Sequence, residues 1–243
     1  MLKLIRLELR RNKLTGYKVA SGCIFLGILA LCFLFAFMPA IVESQGDILS
    51  AKELAMFSGW NNLIAMMSTI SMTSFAVLST VMHARFIVTE YTGKRAILLF
   101  SYPIKRSRIL WAKCSLVFWF TTGMMFLCNL AAITLFGICS NLFQILSEPF
   151  TITTFTYLLT TTLILSLLSG AIGLIALRIG FWKKSVPITI VSAVILASPC
   201  SQLFSFFLDS SITVMLATML LLLTIGFVIF LGLTRMVNRM EVL

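Results

Sequence analysis

Acidic residues and histidine are scarce in this sequence. Of its 243 residues, eight are Asp or Glu, nineteen are Lys or Arg, and His83 is the single histidine. One histidine excludes an H-E-x-x-H zinc site and leaves a serine protease without its partners. A G-x-x-x-x-G-K-[ST] loop is also missing, so the chain does not cradle ATP phosphates in that way. We therefore expect no enzyme activity, catalytic residue, metal or cofactor on the chain itself.

Charge is also missing from six long apolar runs, whereas hydrophobic residues make up 60% of the chain and the mean hydropathy is +1.06. About 20 apolar residues cross a bilayer. We predict one all-α integral membrane domain, residues 1–243, with spans at about 19–38, 62–82, 115–138, 151–177, 185–208 and 212–234. Uncharged spans disfavour ion-coupled carriers, proton relays, and metal-dependent or aspartyl intramembrane proteases, which need ionisable groups in the membrane.

The fifth span is interrupted by Pro199, only 14 residues after Ser185. That distance corresponds to about 21 Å of helix, too short to cross the bilayer. Residues 199–208 therefore either continue a kinked span or form a re-entrant element before span six.

The basic residues are concentrated on one side of this topology. The N-terminus, residues 85–113, residues 178–184 and the C-terminal tail hold all but Lys52 of the Lys and Arg residues. Basic loops mark the cytoplasmic side, so we expect both termini in the cytosol and a multi-pass protein of the bacterial cytoplasmic membrane. The net charge of +11 is a topology signal and gives no reason to expect nucleic acid as a partner.

The first 18 residues predict an interfacial helix. Its apolar residues and basic residues suit a helix that lies on anionic membrane lipids. The residues assigned to it are Leu2, Ile5, Arg6, Leu9 and Arg10.

The loop between spans two and three reads RFIVTEYTGKRAILLFSYPIKRSRILWAK, residues 85–113. Thr89 is placed to cap a short helix whose first turn holds Glu90, a favourable site for a carboxylate. Tyr91, Arg95, Leu98 and Tyr102 then share one helical face, and Pro103 ends the helix. The apolar face of such a helix, on the aqueous side of a membrane, must pack against lipid headgroups, other spans or a soluble partner.

The pattern from Glu90 to Lys113 resembles the cytosolic loop between the second and third spans of ABC-2 type permeases. In that family the loop forms the coupling helix that docks on the ATPase subunit. The resemblance extends to length, span number and orientation along the chain. It assigns ATPase docking to Glu90, Tyr91, Lys94, Arg95, Leu98, Leu99, Tyr102, Pro103 and Arg106.

The resemblance implies the permease subunit of an ATP-driven exporter. ATP and Mg would be bound by separate ABC ATPase subunits, and six spans imply a second permease copy or a sister permease. The uncharged interior suits an amphipathic or lipid-like cargo, and small permeases of this kind often serve peptide antibiotic export or immunity. The alternative is a non-transporting membrane interaction or immunity protein, which composition and topology fit equally well.

Polar residues within the spans have two interpretations. Spans two and four are rich in Ser and Thr, which either allow close helix packing or line a substrate path. We expect Asn129 to form an interhelical hydrogen bond. Gly170 and Gly173 follow Ser166 and Ser169 at the spacing of small residues in packed membrane helices. The six cysteines show no metal-binding or disulfide pattern.

Overall fold

Six helices form the described part of the chain. The computed structural model describes residues 14–44, 59–91, 106–146, 148–183, 185–207 and 212–238. The helices are α1 (Thr15–Ser44), α2 (Trp60–His83), α3 (Arg106–Phe143), α4 (Ile152–Lys183), α5 (Val186–Phe207) and α6 (Ile212–Asn238), and α2 continues into a π-helical turn, Ala84–Val88. These ranges contain no strand, which confirms the all-α class.

Five of the helices are long and apolar enough to cross a membrane. They are α1, α2 with its π turn, α3, α4 and α6. Helix α5 contributes a shorter apolar stretch, Val186–Gln202. The chain is therefore a multi-pass membrane protein.

Helix α5 runs without a break through Pro199 to Phe207. Proline has no amide proton, so the Ile195 carbonyl loses its donor four residues ahead. The hydroxyl of Ser198 donates to that carbonyl at 3.3 Å and so satisfies it within the helix. Of the two alternatives for this segment, the structure shows the continuous helix as far as Phe207.

The helices extend beyond the predicted spans, and several charged residues that we assigned to loops are helical. Arg85 lies in the π turn, Lys113 lies in α3, and Arg178 lies in α4. The predicted loop boundaries at 85, 113 and 178 are therefore wrong. The reason is length, because α3 has 38 residues, about 57 Å, whereas the hydrocarbon core is about 30 Å thick. The ends of such a helix extend beyond the hydrocarbon core, where charged side chains are tolerated.

Successive helices run in opposite directions, so their ends gather into two groups. We call the end where α1 begins and α6 terminates the basic end, since every Lys and Arg in the described ranges lies in the half of its helix nearest to it. Helices α2 and α4 form the centre, with 67% of the most apolar window of each buried, against 17% for α1 and 22% for α6. Helix α4 packs against α2, α3, α5 and α6.

A buried amide joins α2, α3 and α4. The Nδ2 group of Asn129 on α3 donates to Ser68 Oγ on α2 and to Thr162 Oγ1 on α4, both at 2.9 Å. All three residues are buried. The predicted interhelical hydrogen bond of Asn129 is confirmed, and these two hydroxyls serve helix packing.

Glycines on α4 allow its neighbours to approach closely. A Cβ atom on Gly170 would lie 2.6 Å from the Phe118 ring of α3, and one on Gly173 would lie 2.3 Å from Ser79 Oγ of α2. Both contacts are shorter than side chains tolerate. The predicted packing role of this small-residue pattern is confirmed.

We expect Gly173→Ala to destabilise the protein by about 1–3 kcal/mol, because the new methyl group forces α2 and α4 apart. Thermal unfolding of the purified protein in detergent measures the effect. Gly123→Ala on α3 is the matched control, since nothing lies within 4 Å of a Cβ atom there. Equal unfolding temperatures for the two variants would contradict the packing model.

Candidate functional site at the basic end

The last turn of α2 changes its hydrogen-bonding pattern just before the basic loop. The Thr89 amide bonds to the Ala84 carbonyl at 3.0 Å, and the amides of Glu90 and Tyr91 both bond to the Ile87 carbonyl, at 3.1 and 2.9 Å. These bonds pass over the Phe86 carbonyl. Single π turns are rare and often occur at functional sites; here the turn leaves the carbonyls of Arg85 and Phe86 to side-chain donors.

Thr89 caps the C-terminal end of the π turn. Its hydroxyl donates to the carbonyl of Ala84 at 3.1 Å and to that of Arg85. Its backbone is helical, with φ −64° and ψ −29°, whereas an N-cap residue is extended. The predicted role of Thr89 as an N-cap is not seen, and the helix expected beyond it lies outside the described residues.

Lys113 bridges the π turn and Glu90. Its Nζ donates to the Phe86 carbonyl at 3.1 Å and forms an ion pair with the Glu90 carboxylate. Lys113 is only 1% exposed and Glu90 9%. Removing two charges from water is costly unless they are paired and hydrogen-bonded, and this geometry supplies both. The pair joins the chain just before residues 92–105 to the start of α3, so the loop has a fixed base.

Aromatic contacts surround this base. Tyr91 packs edge-on against Phe181 at the end of α4, with ring centroids 5.8 Å apart, and Phe86 packs in the same way on Tyr17 of α1, at 5.5 Å. These rings belong to an apolar cluster at the basic end that includes Leu110, Leu177 and Phe230. The start of the loop is thus held by α1, α3 and α4.

The structure describes three of the predicted docking residues. Glu90 and Tyr91 are buried within the chain, so their side chains hold the loop base and do not face outward. Arg106 is the first residue of α3. The remaining assignments lie outside the described residues and stay predictions: Lys94, Arg95, Leu98, Leu99, Tyr102 and Pro103 in the loop, and Leu2, Ile5, Arg6, Leu9 and Arg10 in the interfacial helix.

His83 is buried one turn deeper than the loop base. Its Nδ1 donates to the Ser79 carbonyl at 2.9 Å and lies 3.4 Å from Ser79 Oγ. Because Nδ1 carries the proton, it is not available to accept the serine proton. This contact therefore does not form a serine–histidine nucleophile, and the described residues contain no group of three or more potential metal ligands.

The partner of Glu90 could not be found by local sequence reasoning. Lys113 is 23 positions away, and its sequence position predicts a hydrated loop. The one sequence feature that connects the two residues is the motif that begins with Glu90 and ends with Lys113. None of the sequence patterns above predicts the π turn.

Comparison with known proteins finds a relative whose name states no activity. It is 23% identical over 211 residues to "Uncharacterized protein YcbO" of Bacillus subtilis (strain 168), an alignment that covers 87% of this chain and 88% of the relative. No family model matches, and no solved structure matches. The similarity spans nearly the whole of both chains, and the relative's name assigns no activity.

Proposed function

We propose that this chain is the permease subunit of an ATP-driven ABC-2 type exporter. The sequence of the basic segment between α2 and α3 resembles a coupling loop. The structural observation that supports the proposal is the Glu90–Lys113 ion pair, which fixes the base of this loop to both helices. ATP and Mg are bound by the separate ATPase subunits. A non-transporting immunity or interaction protein is the alternative function.

The helix arrangement supports six crossings with both termini in the cytosol. Helix α5 has 22 residues, about 33 Å, which is enough for a bilayer core of about 30 Å. The basic end then faces the cytosol, in agreement with the positive-inside rule. Six spans per chain call for a second permease, either a copy of this chain or a sister subunit.

The mechanism follows from the fixed loop base. A force applied to residues 92–105 passes through Glu90 and Lys113 to the ends of α2 and α3. Helix α2 also packs on α4 and α5, so movement of the loop reaches the centre of the chain. ATPase closure would in this way change the permease interface. The uncharged middle of the spans suits an amphipathic or lipid-like cargo, such as a peptide antibiotic.

We expect opposite labelling of two single cysteines in a cysteine-free background. Gln45 comes directly after Ser44, the last residue of α1 at the opposite end, in the sequence. Ser107 is half-exposed in the first turn of α3 at the basic end. A membrane-impermeant maleimide added to intact cells should modify a cysteine at 45, and one at 107 only after lysis. The reverse pattern would overturn the orientation and the coupling-loop assignment.

Affinity purification from the native membrane tests the function itself. We expect a nucleotide-binding subunit, identified by mass spectrometry, to copurify with the chain in mild detergent. Recovery of the permease alone, or with a partner that lacks a nucleotide-binding motif, would favour the non-transporting alternative.

A further inference from the structure

An apolar groove opens between α3, α4 and α6 towards the basic end. Its volume is about 300 Å³, the lower limit of the roughly 300–1,000 Å³ typical of small-molecule pockets. Side chains of all three helices line it, among them Trp111, Phe118, Leu174, Leu223, Phe227 and Phe230. An apolar occupant such as a hydrocarbon chain matches this lining.

Small residues and aromatic rings give the groove its shape. A Cβ atom on Gly226 of α6 would lie 3.6 Å from the Ala171 carbonyl of α4, so these two helices approach closely beside the groove. Trp111 of α3 stacks edge-on against Phe230 of α6, with ring centroids 4.5 Å apart. Tryptophan favours the level where hydrocarbon meets headgroups.

Two arginines continue the lining towards the basic end. Arg178 follows the groove residues Ala171 and Leu174 at spacings of seven and four, and Arg108 precedes Trp111 by three. Residues at these spacings share one face of a helix. Both residues therefore lie about one turn beyond the apolar lining.

Arg178 has a poor partner for a charged group. It is half-buried, and its Nη1 lies 3.1 Å from the thioether sulfur of Met236 on α6. A thioether is a weak acceptor, and in the described part of the chain no carboxylate pairs with Arg178. A guanidinium fork is suited to phosphate oxygens.

We propose that this groove binds an anionic phospholipid, with an acyl chain among the aromatic residues and the phosphate at Arg178 and Arg108. The charge at one end and the apolar lining beyond it match the two parts of such a lipid. Basic pockets between membrane helices on the cytoplasmic side recognise anionic headgroups in this way. The site does not depend on ATP or on the proposed transport function.

Photolabelling in nanodiscs of phosphatidylcholine tests the site. Two probes with a diazirine on an acyl chain are compared, one a phosphatidylglycerol and one a phosphatidylcholine. We expect peptides that contain Phe227 to be labelled about fivefold more by phosphatidylglycerol. Arg178→Gln should lower that preference, and so should Arg108→Gln, whose side chain is exposed.

Gly226→Leu supplies the steric test, since Gly226 lines the groove and a larger side chain there leaves less room for a lipid chain. The unfolding temperature of this variant is measured as well, because a Cβ atom at this position lies 3.6 Å from the Ala171 carbonyl. Gly226→Leu should prevent labelling by both probes, while Gly232→Leu on the same helix, where nothing lies within 4 Å of a Cβ atom, should leave labelling unchanged. Equal labelling by the two probes in the unaltered protein would overturn the proposal. So would competition by inorganic phosphate as strong as by unlabelled phosphatidylglycerol, because the site would then bind a free anion.

Discussion

Lys113→Met is expected to destabilise the protein by about 3–5 kcal/mol, because it removes the cation that neutralises a buried carboxylate. Lys113 is 1% exposed and pairs with Glu90 in the protein interior. The substitution also removes the hydrogen bond to the Phe86 carbonyl. Unfolding of the purified protein in detergent, followed by heat or by denaturant, measures the loss.

The double variant Glu90→Gln, Lys113→Met separates charge from packing. Without the carboxylate no uncompensated charge remains, so this protein should recover most of the lost stability. Lys183→Met is the matched control: Lys183 is exposed at the end of α4, and its replacement should change stability by no more than about 0.5 kcal/mol. If Lys113→Met and Lys183→Met lower the stability by the same amount, the Glu90–Lys113 pair does not hold the loop base.

Leu98→Asp is expected to abolish binding of the ATPase subunit and leave membrane insertion intact. If Leu98 fills a groove on the partner, truncation of such an anchor costs about 2 kcal/mol or more, and a buried charge costs more still. A loss of this size weakens binding by at least about 30-fold. The amount of ATPase that copurifies, normalised to permease in the membrane, measures it.

Ala96→Asp is the matched control for this prediction. It introduces the same charge two residues earlier, which is nearly opposite Leu98 on a helix. Tyr102→Ala should weaken binding as Leu98→Asp does, since both positions share the predicted face. Retained binding and activity in Leu98→Asp and Tyr102→Ala would show that this loop is not the coupling element.

The helices were predictable because their signal is local. Runs of apolar residues long enough to cross the bilayer are read directly from the sequence, and α1 through α4 fall where those runs lie. The predicted ends of the helices are wrong because a count of charges does not distinguish a loop from the end of a long helix that extends beyond the membrane. Arg178 shows this, since it lies within α4 and contacts α6.

The buried pair depends on a contact between residues that are distant in the sequence. The Glu90–Lys113 pair joins residues 23 positions apart, and no periodicity links them. At Pro199 the sequence leaves two alternatives open; the helix continues, and the Ser198 hydroxyl satisfies the Ile195 carbonyl that the proline leaves without an amide donor. The interhelical hydrogen bond of Asn129 is predictable from the sequence, because a buried amide among apolar residues needs hydrogen-bond partners.

Photo-crosslinking from position 98 tests the central claim most directly. A photoreactive phenylalanine analogue replaces Leu98 in the native membrane, and irradiation captures what touches the predicted docking face. The proposal predicts a covalent product with a nucleotide-binding ATPase subunit, and none from the same analogue at position 96. A product with lipid alone, or with another part of this chain, would contradict the assignment of this loop as the ATPase-docking element.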